Sequence, residues 1–190
     1  MIQEGPLRGP ASSSHGPQVI SSVSTPMKRI GQCRVFADHY QFYVLDSDAD
    51  MFEGMPDWSD ETVARGFIAN EKVLAVGTKA HFNDHWVELW TSASAPETAG
   101  HDRAFAVDLS LPSGHLAITG LADTAEEVHR IPVPPGAYTV HVLASNLGID
   151  RSSGDSGDSE DTELTDEELK ARTDLERYTL VLVPKADAPC

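Results

Sequence analysis

Apolar residues along this chain come in short alternating bursts, separated by Gly, Pro, Asn and Asp. That texture predicts strands of about 4 to 8 residues rather than long amphipathic helices. The first burst runs from Arg34 through Val35, Phe36, Tyr40, Phe42, Val44 and Leu45, with alternation at Tyr40, Phe42 and Val44. Phe67-Ile68-Ala69 and Val73–Val76 follow, with Asn70-Glu71 as the expected tight connection. From His81 to Trp90, Trp86, Glu88 and Trp90 share one face and Val87 and Leu89 the other. Aromatic and β-branched enrichment favours a strand there over a helix. Runs at Ala104–Leu109, His115–Thr119 and Glu127–Ile131 are each bounded by Pro or Gly. Pro134-Pro135-Gly136 then sets a turn before alternating Tyr138, Val140 and Val142. The last run, Tyr178–Val183, is apolar almost throughout and reads as a central, covered strand.

One short helical turn interrupts the series. In Asp57–Gly66, Asp57 or Ser59 can cap the first amides, acids fill the first turn and Gly66 can end it. The expected fold class is therefore all-β: an antiparallel β-sandwich, jelly-roll-like, with one short helix. Residues 1–27 read as a disordered tail, because Pro, Ser and Gly leave no periodic apolar face there. Residues 28–190 form a single β-sandwich domain carrying a mobile acidic insertion at about 150–176. Within it, Thr165 and Glu168 match a capping box for a brief helix.

Charge modifies this picture. The 190-residue chain carries a formal −16. Between Asp150 and Glu176, eleven acids face three bases, so a net −8 belongs to the insertion and is expected as loop decoration. Such acidity argues against direct nucleic-acid binding, which needs a basic footprint. It fits a soluble protein or one drawn to a basic partner. No apolar run approaches the roughly 20 residues of a membrane helix. The N-terminus has no basic, apolar, small-residue leader pattern, so a cytoplasmic address is expected. Cys33 and Cys190 are expected to be two free thiols rather than a disulfide framework.

Motifs for catalysis are missing. There is no Gly-x-Ser-x-Gly elbow, phosphate loop, dinucleotide glycine motif or paired-cysteine zinc pattern. His81 and His85 on one extended strand would stand over about 12 Å apart, too far to share a metal. Asp46-Ser47-Asp48-Ala49-Asp50 begins like a calcium loop, but Met51 and Asp57 stand where that loop needs Gly and Glu. The expectation is a non-enzyme without cofactor or metal. One stretch stands out: Asp46, Asp48, Asp50, Glu53, Asp57, Asp60 and Glu61 surround Met51, Phe52, Met55 and Trp58. It reads either as an exposed loop anchored by a buried Trp58, or as a protein-binding patch in which charge steers and aromatics supply contact energy.

Two segments of this stretch of chain, Asp38–Val44 and Pro56–Phe67, resemble the competence protein J (ComJ) family, and Ile131–Tyr138 resembles that family's Pro-Gly-Tyr element. The family is described as inhibitors of a competence-associated DNA-entry nuclease. The resemblance spans roughly Val35–Leu143 plus the final strand. It implies a non-catalytic nuclease inhibitor whose acidic surface occupies a basic, DNA-gripping cleft. The partner would be a basic nuclease or other basic protein. The partner-binding residues expected on that basis are Asp57, Trp58, Asp60 and Glu61, then Asp48, Asp50 and Glu53. The alternative is a small-molecule or carbohydrate-binding β-sandwich with a concave site at Trp86 and Trp90, followed by a hydrolase.

Overall fold

The computed structural model describes residues 26–81, 83–150 and 164–186. In chain order the elements are β1 (Lys28–Ala37), β2 (Gln41–Asp46), α1 (Asp60–Arg65), β3 (Phe67–Ala69), β4 (Val73–Gly77), β5 (Asn83–Thr91), β6 (Arg103–Leu111), β7 (His115–Gly120), β8 (His129–Pro132), β9 (Gly136–Ser145), α2 (Asp166–Ala171) and β10 (Arg177–Pro184). They make two five-stranded sheets, ordered β1-β5-β10-β9-β6 and β3-β4-β2-β7-β8. The all-β sandwich expected from the pattern is the fold. Two refinements apply: β10 pairs parallel to β5 while antiparallel to β9, and there are two short helices rather than one.

Alternation explains the core. Phe42 and Val44, Leu74 and Val76, Val87 and Leu89, Val140 and Val142, and Leu180 and Leu182 all point between the sheets. Each such side chain contributes about 2 kcal/mol through burial. Pro134 and Tyr138 fix the entry to β9, the Tyr138 hydroxyl donating to the Pro134 carbonyl at 2.5 Å. As expected, the last strand is interior, lying between β5 and β9.

Smaller apolar clusters cover the outer faces. On the second sheet, Tyr43, Leu45, Ile68, Val73, Ala75 and Ala117 are roofed by Met51, Met55 and Trp58 from the loop before α1. On the first sheet, Trp86 packs with Leu169 of α2 and with Leu175. The Thr165–Glu168 capping box forms as expected. The first helix is capped by Ser59, with Thr62 closing the box, and ends at Gly66 in the left-handed conformation.

Two readings along the chain need correction. Tyr40 does not alternate within a strand: with His39 it forms the two-residue turn between β1 and β2, at φ 60° and 54°. The acids of 150–176 also divide. The tail 1–25 and the insertion's 151–163 lie outside the described residues, as does Cys190. From Leu164 onward the chain packs, with Leu169, Leu175 and Glu176 buried. Glu176 is thus internal rather than surface decoration. Its Oε1 accepts the Lys79 amide at 2.8 Å and the Tyr178 hydroxyl at 2.5 Å. Its Oε2 accepts the Ala80 and Gly148 amides, each at 2.7 Å. Cys33 is a buried free thiol in β1. Burial pushes it up to about 12, with Asp123 and Asp166 adding to the rise, so it is inert as a thiolate.

His85 is buried beside this carboxylate. Its Nδ1 lies 3.2 Å from the Glu176 carbonyl, its Nε2 has no hydrogen-bond partner among the described residues, and its ring meets Tyr178 edge-on at 5.6 Å. Burial holds its pKa below the ordinary 6.5, against the opposing pull of Glu176 and Asp84. The unfolded chain therefore binds the His85 proton first, and stability falls as pH drops below 6.5. His141, on the same sheet, is depressed by burial too and adds to that slope.

Two outcomes follow for denaturant unfolding. Glu176→Gln places an amide donor among donors and should cost about 2–4 kcal/mol. In wild type, stability should decline from pH 6.5 towards pH 5 by up to about 1.4 kcal/mol per unit from the buried His85. His85→Gln should flatten that decline, and an unchanged slope in the variant would show that His85 is not its source.

Candidate partner-binding site

The loop between β2 and α1 is held on its sheet from both sides. Asp46 is buried at its root; Oδ1 accepts the Asp48 amide at 3.1 Å and Oδ2 the Ser113 amide at 2.9 Å. It is a brace, not a member of the exposed acidic set. Asn70, in the β3–β4 turn, donates to the Glu53 carbonyl at 2.8 Å while its Oδ1 accepts the Lys72 and Val73 amides. Asp50 Oδ1 accepts the Phe52 amide at 2.9 Å. The loop is thereby shaped by its own carboxylates and by the neighbouring turn.

The seven residues expected from the sequence fall into three neighbouring groups. Asp48, Asp50 and Glu53 line one depression of about 380 Å³, shared with Glu71 and Lys72. Asp57 and Trp58 line a smaller one of about 220 Å³ with Met51, Phe52 and Met55. Asp60 and Glu61 occupy the first turn of α1 and line neither. All six carboxylates are exposed. None forms an ion pair among the described residues. Phe52 beside them is 64% exposed, its ring edge-on to Tyr43 at 6.3 Å.

Trp58 is half-buried, between the two readings of it as core anchor and contact residue. Its Nε1 donates to Gln41 Oε1 at 2.6 Å, which sets the ring against the start of β2. The far edge of the ring lies over Gly77, where a Cβ would stand 3.3 Å from Cη2. Gly66 is equally confined: its φ is +86° and a Cβ there would run into the Arg103 guanidinium. Arg103, reaching across from β6, donates from that nitrogen to the Gly77 carbonyl at 2.8 Å.

This arrangement creates a third concavity, of about 470 Å³, between Trp58, the end of α1 and the β1–β2 turn. Sequence reasoning missed it. Its contributors, Tyr40, Gly77, Lys79 and Arg103 among them, come from four separate parts of the chain. The one local signal is a turn without glycine. His39 and Tyr40 both hold left-handed backbone, which costs about 1 kcal/mol or more each for residues with a Cβ. Tyr40 is 51% exposed and stacks on His81, ring centroids 4.3 Å apart. No group of three or more His, Cys, Asp or Glu side chains is placed to hold a metal among the described residues. No helix described is long and apolar enough to cross a membrane.

The Trp86 and Trp90 alternative loses its geometry. Trp86 is 4% exposed, sealed under α2 with Lys170 6.0 Å above its ring. Trp90 lines a groove on the first sheet, but its Nε1 is engaged by Glu88 at 3.1 Å.

The family model of competence protein J (ComJ) matches residues 34–166, more than half of the chain. The chain belongs to that family. Two solved structures share the fold of this competence protein J family member. One is ComJ of Bacillus subtilis, an inhibitor of the DNA-degrading activity of NucA, at TM-score 0.59 and 13% identity, covering 84% of this chain and 99% of that one. The other is the product of crocagin biosynthetic gene J, at TM-score 0.51 and 17% identity, covering 85% and 99%. No curated protein matches the sequence significantly.

The seat of Trp58 gives a direct test. Gly66→Ala should destabilise by about 2–3 kcal/mol, since it meets both the backbone strain and the Arg103 guanidinium. The loss should be visible as a lowered thermal midpoint. Unchanged stability would mean that Arg103 moves aside freely.

Proposed function

We propose that this protein is a non-catalytic inhibitor of a DNA-degrading nuclease. Membership of the competence protein J family carries the proposal, supported by the fold it shares with an inhibitor of a DNA-degrading activity. The contact we propose is the acidic surface around Trp58. Asp57, Asp60 and Glu61 lead it, with Asp48, Asp50 and Glu53 alongside.

The physical argument starts from what a nuclease needs. An enzyme that grips DNA presents cations spaced to meet phosphates. Six exposed carboxylates, none ion-paired among the described residues, offer a similar density of negative charge on a protein frame. Long-range attraction would raise the encounter rate, and exclusion of DNA would follow from occupancy alone. Phe52 and Trp58 lie among the charges and would supply the short-range contact that charge lacks. The loop is already braced by Asp46 and Asn70, so little ordering cost falls on binding. A cytoplasmic site of action and a basic partner belong to the same proposal.

The experiment is inhibition of plasmid degradation by the cognate nuclease, with association rates measured across ionic strength. Asp57→Asn/Asp60→Asn/Glu61→Gln should slow association by about tenfold or more at low salt and flatten its salt dependence. The matching triple change at Asp48, Asp50 and Glu53 should act in the same direction, less strongly. If both triple variants inhibit as wild type does, the nuclease is met by another face.

A further inference from the structure

The concavity beside Trp58 differs in character from the rest of the molecule. In a chain of net −16, its lining includes His39, Lys79 and Arg103 and no acidic side chain. Trp58, Val63 and Tyr40 provide apolar walls. Its volume, about 470 Å³, lies within the range of small-molecule sites.

Neither Arg103 nor Lys79 has a carboxylate within ion-pairing distance among the described residues. His39 does have one, Asp38 Oδ1 at 2.9 Å. Arg103 is half-buried, and its guanidinium donates to a neutral acceptor, the Gly77 carbonyl. Arg103 and Glu176 act in opposite directions on the Tyr178 hydroxyl, which donates to Glu176, and that carboxylate accepts four hydrogen bonds in all. A half-buried guanidinium normally carries a paired charge, because desolvation without one is costly.

The strain of the turn points the same way. His39 and Tyr40 are held in left-handed backbone without glycine, and the turn presents both side chains to this cavity. Backbone strain of that kind persists where the surrounding structure enforces it, and it gathers at ligand sites. Here it brings an aromatic wall and a third basic group to the mouth.

We propose that this cavity binds a small organic acid: an apolar body against Trp58, Val63 and Tyr40, with its single carboxylate facing Lys79 and Arg103. A monoanion fits better than a phosphate dianion, because most of the wall is apolar and cannot solvate a second charge. The site is separate from the carboxylates of the proposed nuclease contact, although Trp58 borders both. Its test does not involve the nuclease.

Phenylacetate serves as the probe and phenylacetamide as its neutral isostere, both titrated into the full-length protein and followed by amide chemical shifts. Phenylacetate should saturate, with shifts confined to the turn at His39-Tyr40, the end of α1 and Gly77–Lys79. Phenylacetamide should bind about tenfold more weakly, the difference one charge makes near a protein surface. Lys79→Gln, at an exposed position, should lower phenylacetate affinity by about 3–10-fold. Val63→Trp, at a half-exposed position, should fill the cavity and abolish binding in a protein that still unfolds cooperatively. Shifts that never saturate, equal binding of acid and amide, or binding that survives Val63→Trp would each overturn the assignment.

Discussion

A single buried carboxylate holds one end of the sandwich together. Glu176 stands where β10 begins, and its two oxygens take the amides of Lys79, Ala80 and Gly148 and the hydroxyl of Tyr178. Those donors belong to the β4–β5 connection, the turn after β9 and β10 itself. A charge taken out of water is tolerable only when its lone pairs are met, and here they are. The Glu176 backbone also joins in, its amide donating to the Ile149 carbonyl and its carbonyl facing His85. Lys79 is positioned as a by-product, so the cavity wall beside Trp58 is set by a group the cavity never touches.

From that anchor the rest is sheet geometry. The β4 end at Gly77 lies between Trp58 on one side and the Arg103 hydrogen bond on the other. A Cβ there would crowd the Trp58 ring at 3.3 Å and the Gly66 carbonyl at 3.2 Å. The acidic loop lies over the outer face of the second sheet, with Met51, Met55 and Trp58 turned inward and Phe52 and the acids outward. Two surfaces of opposite charge therefore meet at one indole. The division follows from Trp58 being the last residue of the loop before the Ser59 cap, with the loop's acids preceding it and Gly66 closing the helix near Arg103.

How much of this was legible in the sequence depends on the range over which each feature is specified. Strands β5, β9 and β10 are written in their alternation, since Val87 with Leu89 and Val140 with Val142 must face one side. Both helices could be read from their caps, because Ser59, Gly66, Thr165 and Glu168 act within four residues. The β1–β2 turn could not: His39-Tyr40 carries none of the Asn-Gly chemistry that such turns normally show. Glu176 was hidden in an acidic run, and only the fold separates a buried carboxylate from ten other acids. Arg103 was equally silent, because its meeting with Gly66 and Gly77 brings together positions tens of residues apart. Asp46 shows the same limit at shorter range, a brace among acids that look identical in sequence.

The place of β10 in its sheet has a consequence for how the molecule is made. The strand completed last lies between β5 and β9, parallel to the one and antiparallel to the other. Until it emerges from the ribosome, two strand edges within the same sheet stand open, and the Tyr178, Leu180 and Leu182 portion of the core is empty. Glu176 and its donors cannot meet either. A chain that has not yet placed β10 therefore carries open strand edges, the feature that pairs most readily with other chains. Seating the strand and seating its carboxylate are therefore one event, since β10 and Glu176 are joined to the same neighbours.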